Sequence, residues 1–344
     1  MIALPSFYIL TSNGASVLPD AIQRERAINQ NRPILFYLDA NLCLDVINYF
    51  ENKQAHPQSK TNIEILILFC QRYNIEVVPK FGSMELCREH FNNLNITKYK
   101  DFVNKITYAF DTPLDENVKL NDRIFNYDVE VNDTDSIAFK GLFPLLLISY
   151  ISLLKIYFLC KKNKPNKGSV LKNLKLFFHW CNKHINTSMA SEIQLAIKIF
   201  GGDSGIGKMI CIDKKGGHQD VFRTIWGTAW DLFHIRMVHF NAINTGIDQG
   251  VYFITRDENL YTLFKTCQIK GALSFSGQPI VSFVNYDIDI QYKDKSIKES
   301  IEDALEIFTF ERSILNSTEP LDIKLLEELR TKLEYDICSV RNEL

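Results

Sequence analysis

A short apolar run that ends in an aspartate constrains the fold of this chain more than any other feature. Residues Ile34–Leu38 are five consecutive apolar or aromatic residues after Pro33, and Asp39 follows them directly. A run of this length and composition is typical of a fully buried strand in a parallel sheet. The second apolar run, up to Phe50, predicts a helix. We therefore expect Asp39 at the carboxyl end of a central strand, where open α/β sheets bind ligands.

Two interpretations of Asp39 are open at this point. Aspartate is favoured at the start of a helix, because its carboxylate accepts hydrogen bonds from the first backbone N–H groups. In that case Asp39 would contribute only local stability. Alternatively, Asp39 faces a ligand at the edge of the sheet. The choice depends on which other residues the fold brings to the same edge.

The composition is that of an ordinary globular protein. The chain has 344 residues, of which 46% are hydrophobic and 23% are charged, and its net charge is -2. This balance gives no overall attraction for nucleic acid, so any such binding has to use local basic patches. Eight cysteines without a CxxC pair, and no recognisable signal peptide, predict reduced thiols in a cytoplasmic protein.

One segment has the composition of a membrane span. Gly141–Cys160 is apolar and nearly long enough to cross a bilayer, and lysines follow it directly. However, Lys155 interrupts the run, Pro144 lies near its start, and polar segments lie on both sides. We therefore interpret this segment as a buried core helix, and we expect no membrane association.

The order of the predicted elements indicates an α/β protein with additions. The first part of the chain alternates in the order β-α-α-β-α, which is typical of a parallel sheet. We predict an α/β domain formed by residues 1–94 and 188–290, with a helical insertion at 95–187. A C-terminal helical extension is predicted for residues 291–344.

A glycine-rich segment resembles a phosphate-binding loop only in part. Residues 202–208 match the spacing G-x-x-x-x-G-K, but Met209 stands where a P-loop needs serine or threonine. A helix rather than a strand is predicted before the segment. We therefore interpret the segment as a flexible loop and not as a nucleotide site.

Four acidic residues occupy related places in the predicted elements. Asp39 follows one strand, Glu85 begins the helix after the next strand, Asp231 lies in a helix before a third strand, and Asp257 follows that strand. In a parallel sheet all four converge at the carboxyl edge. Carboxylates in one cleft repel each other and so imply a divalent cation, for which oxygen ligands favour Mg²⁺ or Mn²⁺. Each residue also has a purely structural interpretation, as a helix cap or an ion-pair partner.

The order of these residues resembles that of the PIN-domain nucleases. The resemblance is carried by a D-x-N after a strand, two helical acids and a T-x-D after a later strand: Asp39, Asn41, Glu85, Asp231, Thr255 and Asp257. It covers about residues 34–90 and 188–265. It implies that the four acids are catalytic metal ligands, and that Asn41 and Thr255 orient the aspartates or the attacking water. The interval between Asp231 and Asp257 is longer than usual, so Asp220 is an alternative third ligand.

The function that this resemblance implies is a Mg²⁺- or Mn²⁺-dependent endoribonuclease in the cytoplasm. By family analogy it would be a toxin or a phage-defence effector that cleaves RNA. The same analogy implies that it binds an inhibitory partner or forms a homo-oligomer. The candidates for binding RNA phosphates are local basic residues: Lys208, Lys215, Arg223 and Arg256. Two alternatives stay open. One is a non-catalytic PIN-like module that binds RNA or protein; the other is a Mg²⁺-dependent phosphohydrolase, which would need an aspartate in place of Asn41.

Overall fold

The computed structural model describes the residues 7–11, 18–29, 33–51, 57–90, 93–113, 133–185, 189–212, 217–245, 250–273, 281–315 and 322–342. In these residues the protein is a mixed α/β protein in which helices predominate. The helices are α1 (Ala21–Asn29), α2 (Ala40–Phe50), α3 (Pro57–Arg72), α4 (Lys80–Cys87), α5 (Ile96–Asp111), α6 (Asp133–Lys162), α7 (Val170–His184), α8 (Ala190–Phe200), α9 (Ser204–Gly207), α10 (His218–Thr245), α11 (Glu258–Thr266), α12 (Lys295–Leu315) and α13 (Ile323–Asn342). The strands are β1 (Tyr8–Thr11), β2 (Ile34–Leu38), β3 (Ile75–Val78), β4 (Arg88–His90), β5 (Asn93–Leu94), β6 (Val251–Thr255), β7 (Cys267–Leu273) and β8 (Val281–Tyr286).

The chain forms two compact units. Unit 1 contains Met1–Leu142 and His234–Tyr261, and unit 2 contains Phe143–Phe233 and Thr262–Leu344. The boundaries therefore fall inside α6, α10 and α11. The predicted division at 94/95, 187/188 and 290/291 uses other boundaries, and it stays a prediction.

Unit 1 is built around a four-stranded sheet with the order β1-β6-β2-β3. Strand β2 pairs in parallel with both β3 and β6, as the sequence predicts. Strand β1 pairs antiparallel with β6, so the sheet is mixed rather than entirely parallel. The pattern of apolar residues sets which face of a strand is buried, but it leaves the direction of an edge strand open.

Strand β2 is the switch point of the sheet, because the strands that follow it in the chain are added first on one side of it and then on the other. The chain goes from β2 to β3 on one side, and β6 returns much later to the other side of β2. A crevice forms at such a switch point, outside the carboxyl ends of the two neighbouring strands. The core below it contains Phe36, Leu42, Val46 and Ile254, each of which is fully buried. The core therefore fixes the position of the strand ends.

The apolar segment predicted to be a core helix is part of α6 in the structure. Its residues Phe139–Lys162 are long and apolar enough to cross a membrane, and 72% of the apolar window is buried inside the protein. A helix that buries most of its surface against other protein residues is consistent with a soluble protein. All eight cysteines are free thiols; seven are buried and Cys338 is partly exposed.

The glycine-rich segment is more ordered than the sequence predicts. Asp203 accepts a hydrogen bond from the backbone N–H of Ile206 at 3.0 Å and caps the short helix α9. A 3₁₀ turn, Lys208–Ile210, continues from it. The prediction of a flexible loop is therefore wrong here, because a cap residue between the glycines nucleates a helical turn.

Two further strands lie in the last part of the predicted α/β domain, outside the four-stranded sheet. Strands β7 and β8 pair with each other as an antiparallel hairpin in unit 2. Helices α12 and α13 follow, in agreement with the predicted C-terminal helices.

Candidate metal centre

The carboxyl ends of β2 and β6 lie side by side. Leu38 is paired with Ile254, and the backbone N–H of Asp39 donates to the carbonyl of Ile254 at 3.0 Å. The hydroxyl of Thr255 donates to Oδ2 of Asp39 at 2.8 Å. Strand pairing therefore brings together two motifs that are 216 residues apart in the sequence.

Asp39 is at the N-cap position of α2, but its side chain does not cap the helix. It is only 2% exposed, and its Oδ2 lies 3.5 Å from the amide nitrogen of Asn41 in addition to the Thr255 hydroxyl. Burying a carboxylate is costly unless its charge is compensated. A buried aspartate that forgoes the capping bonds favours the ligand interpretation over the cap interpretation.

A glycine allows α4 to approach the end of β2. A Cβ atom on Gly82 would lie 2.7 Å from Sγ of Cys43 and 2.7 Å from the carbonyl oxygen of Leu38. No real side chain tolerates such distances, so only glycine permits this packing. On the same helix, the ring of Phe81 stacks on Tyr37 of β2, with centroids 5.8 Å apart. These contacts place Glu85 of α4 beside Asp39.

Three side chains from three elements converge at this point. Ligand atoms of Asp39, Glu85 and His234 all lie within 4.8 Å of one another. His234 comes from α10, and its Nε2 lies 3.8 Å from Oε2 of Glu85. The histidine is 2% exposed, and the side chain of Glu85 is 18% exposed. The group has the composition of a small metal site that is largely screened from water.

The protonation of this group follows from its burial. Burial, followed by the charge of Asp39, raises the pKa of Glu85 to about 8, against a smaller opposite effect of Arg88. Burial also raises the pKa of Asp39, which the Thr255 hydroxyl partly offsets. Burial lowers the pKa of His234 to about 4. Near neutral pH the 3.8 Å approach of Glu85 and His234 is therefore a contact between two neutral groups, not an ion pair.

The other predicted ligands have different surroundings. Oδ1 of Asp257 accepts hydrogen bonds from the backbone N–H groups of Asn259 and Leu260 at 2.7 and 3.0 Å, so this aspartate caps α11. Its charge nevertheless acts on Asp39 and helps to raise the pKa of that residue. Asp231 is partly exposed and lies three residues before His234 on α10. Among the described residues, the close group of ligand atoms contains neither aspartate, and their role as ligands stays a prediction.

The alternative third ligand is engaged elsewhere. Oδ1 of Asp220 pairs with Arg223 at 2.7 Å, and both side chains are exposed. The ion pair therefore engages Arg223, one of the basic residues predicted to bind RNA.

The remaining basic candidates differ in their positions. Arg256 follows Thr255 directly and pairs with Asp45 of α2 at 2.7 Å, with 34% of its side chain exposed. Lys208 is exposed on the 3₁₀ turn in unit 2. Lys215 lies outside the described residues. Arg256 is thus the candidate that directly follows Thr255, whose hydroxyl bonds to Asp39 of the metal-competent group (Asp39, Glu85 and His234).

Comparisons with known proteins identify no relative. No protein-family model, no curated protein and no solved structure matches this chain. The resemblance to PIN-domain nucleases therefore depends on the sequence motifs and stays a prediction.

His234 was not among the ligands predicted from the sequence. The available signal was its position: it lies next to the apolar face formed by Trp230, Phe233 and Met237, all of which are buried. A polar ring at the border of a buried face needs a polar partner. The identity of that partner depends on the tertiary structure.

Proposed function

We propose that this protein is a cytoplasmic, divalent-metal-dependent endoribonuclease with a PIN-like catalytic unit. The observation that carries the proposal is the buried, non-capping Asp39 at the switch point of the sheet, with the Glu85 carboxyl group beside it. Buried carboxylates that converge at this edge are suited to bind a cation and then a phosphodiester. The resemblance in motif order supports RNA as the substrate.

The residues present fit a divalent cation. Oε2 of Glu85 is buried, and none of the described residues donates a hydrogen bond to it. Asp39 and Glu85 would hold the ion, and Asp257 lies close enough to act on the charge of Asp39. When bound, such an ion stabilises the charge that develops on a phosphate and lowers the pKa of water. Mg²⁺ and Mn²⁺ are the ions proposed for this role.

The protein's own groups have separate tasks in this proposal. The Thr255 hydroxyl donates to Oδ2 of Asp39 and accepts from the backbone N–H of Asp257 at 3.0 Å, so it fixes the orientation of Asp39. Glu85 holds a proton near neutral pH, and a cation that binds there displaces it. Arg256, held by Asp45, presents a cation to a phosphate of the substrate.

The test is cleavage of labelled single-stranded RNA with Mg²⁺ or Mn²⁺, and with a chelator. We expect cleavage by the wild type that the chelator and Asp39→Asn both abolish. Asp101→Asn is a matched control, because Asp101 is a half-exposed aspartate that pairs with Lys105 on α5. If Asp39→Asn cleaves RNA as fast as the wild type, the catalytic assignment is refuted.

A non-catalytic PIN-like module is the second candidate, and one observation favours it. Asp257 uses Oδ1 to cap α11, which reduces the number of carboxylate oxygens available to an ion. This candidate predicts RNA binding without cleavage under every metal condition, and the same assay distinguishes it. A gel-shift measurement on the intact RNA would then report binding.

A further inference from the structure

The metal-competent group contains a nitrogen donor, whereas the predicted ligand set contains only oxygen donors. We propose that His234 is a direct ligand of the metal ion and that it makes the site selective for a first-row transition ion over Mg²⁺. The inference rests on the metal-dependent function proposed above and names the ion class that this site takes. The ligand that α10 supplies is then His234 and not Asp231, the residue that the motif order predicts.

The spacing between His234 and Glu85 fits a shared ion better than a direct hydrogen bond. Nε2 of His234 lies 3.8 Å from Oε2 of Glu85. A hydrogen bond between these atoms would be about 2.7–3.2 Å long. Two ligands that each lie about 2.1 Å from one ion are roughly 3.0–4.2 Å apart. The observed separation falls in the second range.

Two neighbours flank the ring of His234. The backbone of Phe81 lies close enough to act on the charge of the ring, and the ring of Phe253 packs against it with centroids 5.7 Å apart. Metal-ligating histidines almost always donate the second ring N–H to a carbonyl or a carboxylate, which fixes the tautomer. Because Phe81 and Glu85 both belong to α4, one helix supplies a ligand and also lies beside the ring of His234.

A histidine that serves only as packing would have other surroundings. A buried Glu85 carboxyl group needs compensation, and a purely structural partner would provide it at hydrogen-bond distance. Here Nε2 of His234 lies 3.8 Å from Oε2 of Glu85, outside hydrogen-bond distance, and the ligand atoms of both residues lie within 4.8 Å of one of Asp39. The ring of His234 is buried within the same group as the two carboxyl groups, so its position fits a third ligand.

The ion preference follows from this donor set. Two carboxylates and one imidazole offer two hard ligands and one of intermediate softness. Imidazole suits transition ions, while Mg²⁺ is bound mainly through oxygen atoms and retained water. We therefore expect Mn²⁺ and Zn²⁺ to bind at least about tenfold more tightly than Mg²⁺.

The experiment uses the full chain and Mn²⁺ as the probe. Electron spin-echo spectroscopy of the Mn²⁺-loaded protein detects a directly coordinated nitrogen, and we expect its signal in the wild type. Thermal shifts at fixed ionic strength give the half-saturating concentrations of Mn²⁺, Zn²⁺ and Mg²⁺. If the wild type lacks the nitrogen signal, or binds Mn²⁺ and Mg²⁺ with equal affinity, the inference is overturned. Both results come from the wild type, so this test does not require any variant to fold.

Substitutions at position 234 test whether His234 is the source of the nitrogen signal. His234→Asn should remove the nitrogen signal and weaken Mn²⁺ binding by about 10–100-fold or more, the loss seen when a supporting residue of a metal site is removed. His234→Asp should restore binding without the nitrogen signal and shift the preference towards Mg²⁺. His239→Asn, a change at a buried histidine on the same helix, should leave both properties unchanged. If it instead removes the nitrogen signal while His234→Asn retains it, His234 is not the ligand.

The result is independent of RNA cleavage. A nitrogen-ligated Mn²⁺ site without RNA cleavage contradicts the proposed ribonuclease and supports this inference. RNA cleavage that proceeds equally well with Mg²⁺ and shows no nitrogen ligand supports the ribonuclease and contradicts this inference.

Discussion

Glu85→Gln should make the metal-free protein more stable at neutral and alkaline pH. The folded protein raises the pKa of Glu85 from 4.5 to about 8, so it binds the proton more tightly than the unfolded chain does. The contribution of Glu85 to stability is therefore most favourable below pH 4.5. It declines as the pH rises from 4.5 to about 8 and is constant above that. Glutamine has no proton to lose, so the variant lacks this decline.

The size of the effect follows from the two pKa values. One pKa unit corresponds to about 1.36 kcal/mol. The interval from 4.5 to about 8 thus gives at most about 5 kcal/mol above pH 8, about 3 kcal/mol at pH 7 and about 1 kcal/mol at pH 5. These are upper figures, because 18% of the side chain is exposed and solvent screens part of the charge.

The assay is urea unfolding at pH 5, 7 and 8.5 in the presence of a chelator. Far-ultraviolet circular dichroism is the suitable global signal, because all three tryptophans lie in unit 2. Hydrogen exchange of peptides that cover β2 reports the opening of unit 1 itself. Glu76→Gln, at an exposed position on β3, is the matched control and should follow the wild-type curve. Parallel curves for Glu85→Gln and the wild type at all three pH values would refute the reasoning.

Four further predictions concern the same region. Asp39→Asn should abolish RNA cleavage while the melting temperature stays equal or rises, because the amide removes repulsion with neighbouring carboxylates. Gly82→Ala should destabilise unit 1 by about 1–3 kcal/mol in urea unfolding, because its Cβ would be 2.7 Å from Leu38 O. Thr255→Val should cost about 1–3 kcal/mol, whereas Thr255→Ser retains the bond to Asp39 and should cost much less; unfolding curves check both. Arg256→Ala should weaken RNA binding and lower the slope of log K against log salt by about 1 in a binding titration, if that residue contacts a phosphate.

Each of these predictions has an outcome that contradicts it. Wild-type cleavage by Asp39→Asn excludes a catalytic aspartate at the end of β2. A Gly82→Ala variant as stable as Gly227→Ala, where an added Cβ meets nothing within 4 Å, contradicts the close packing of α4. Equal stability of the valine and serine variants at position 255 means that the hydroxyl bond contributes little. An unchanged salt dependence for Arg256→Ala removes that residue from the RNA-binding surface.

The strand ends of unit 1 were predictable because their signals are local. The short apolar run of β2 and the similar run of β6 each specify a buried strand, and a polar motif follows each. Parallel neighbours present their carboxyl ends at one edge, so the meeting of Asp39 and Thr255 follows from the two strands. The structure adds the bond between them.

The ligand from α10 was not predictable in the same way. Asp231 and His234 lie less than one turn apart on the helix, so the sequence places both near the same face. The rotation and the height of a helix depend on its packing against other elements, which side-chain spacing does not determine. The motif order favoured the aspartate, whereas the structure brings the histidine into the group.

The direction of β1 and the pairing of β7 with β8 could not be predicted from the sequence either. Alternating apolar residues specify that a strand exists, but its partner and direction depend on long-range contacts. Burial along α10 shows the same limit. The spacing of Trp226, Trp230 and Phe240 places them on one apolar face of the helix, but the two tryptophans are buried while Phe240 is 51% exposed.

The claim that Asp39 and Glu85 belong to one metal site is tested most directly by thermal melting at fixed ionic strength, with and without Mn²⁺. The proteins are the wild type, Asp39→Asn, Glu85→Gln and the double variant. An ion that binds only the folded state stabilises it by about 2.7 kcal/mol at a hundredfold excess over its dissociation constant. One shared site predicts that each single substitution abolishes the Mn²⁺-dependent rise in melting temperature and that the double variant loses no more. A wild-type melting temperature that Mn²⁺ leaves unchanged, or losses that add independently, would contradict the account.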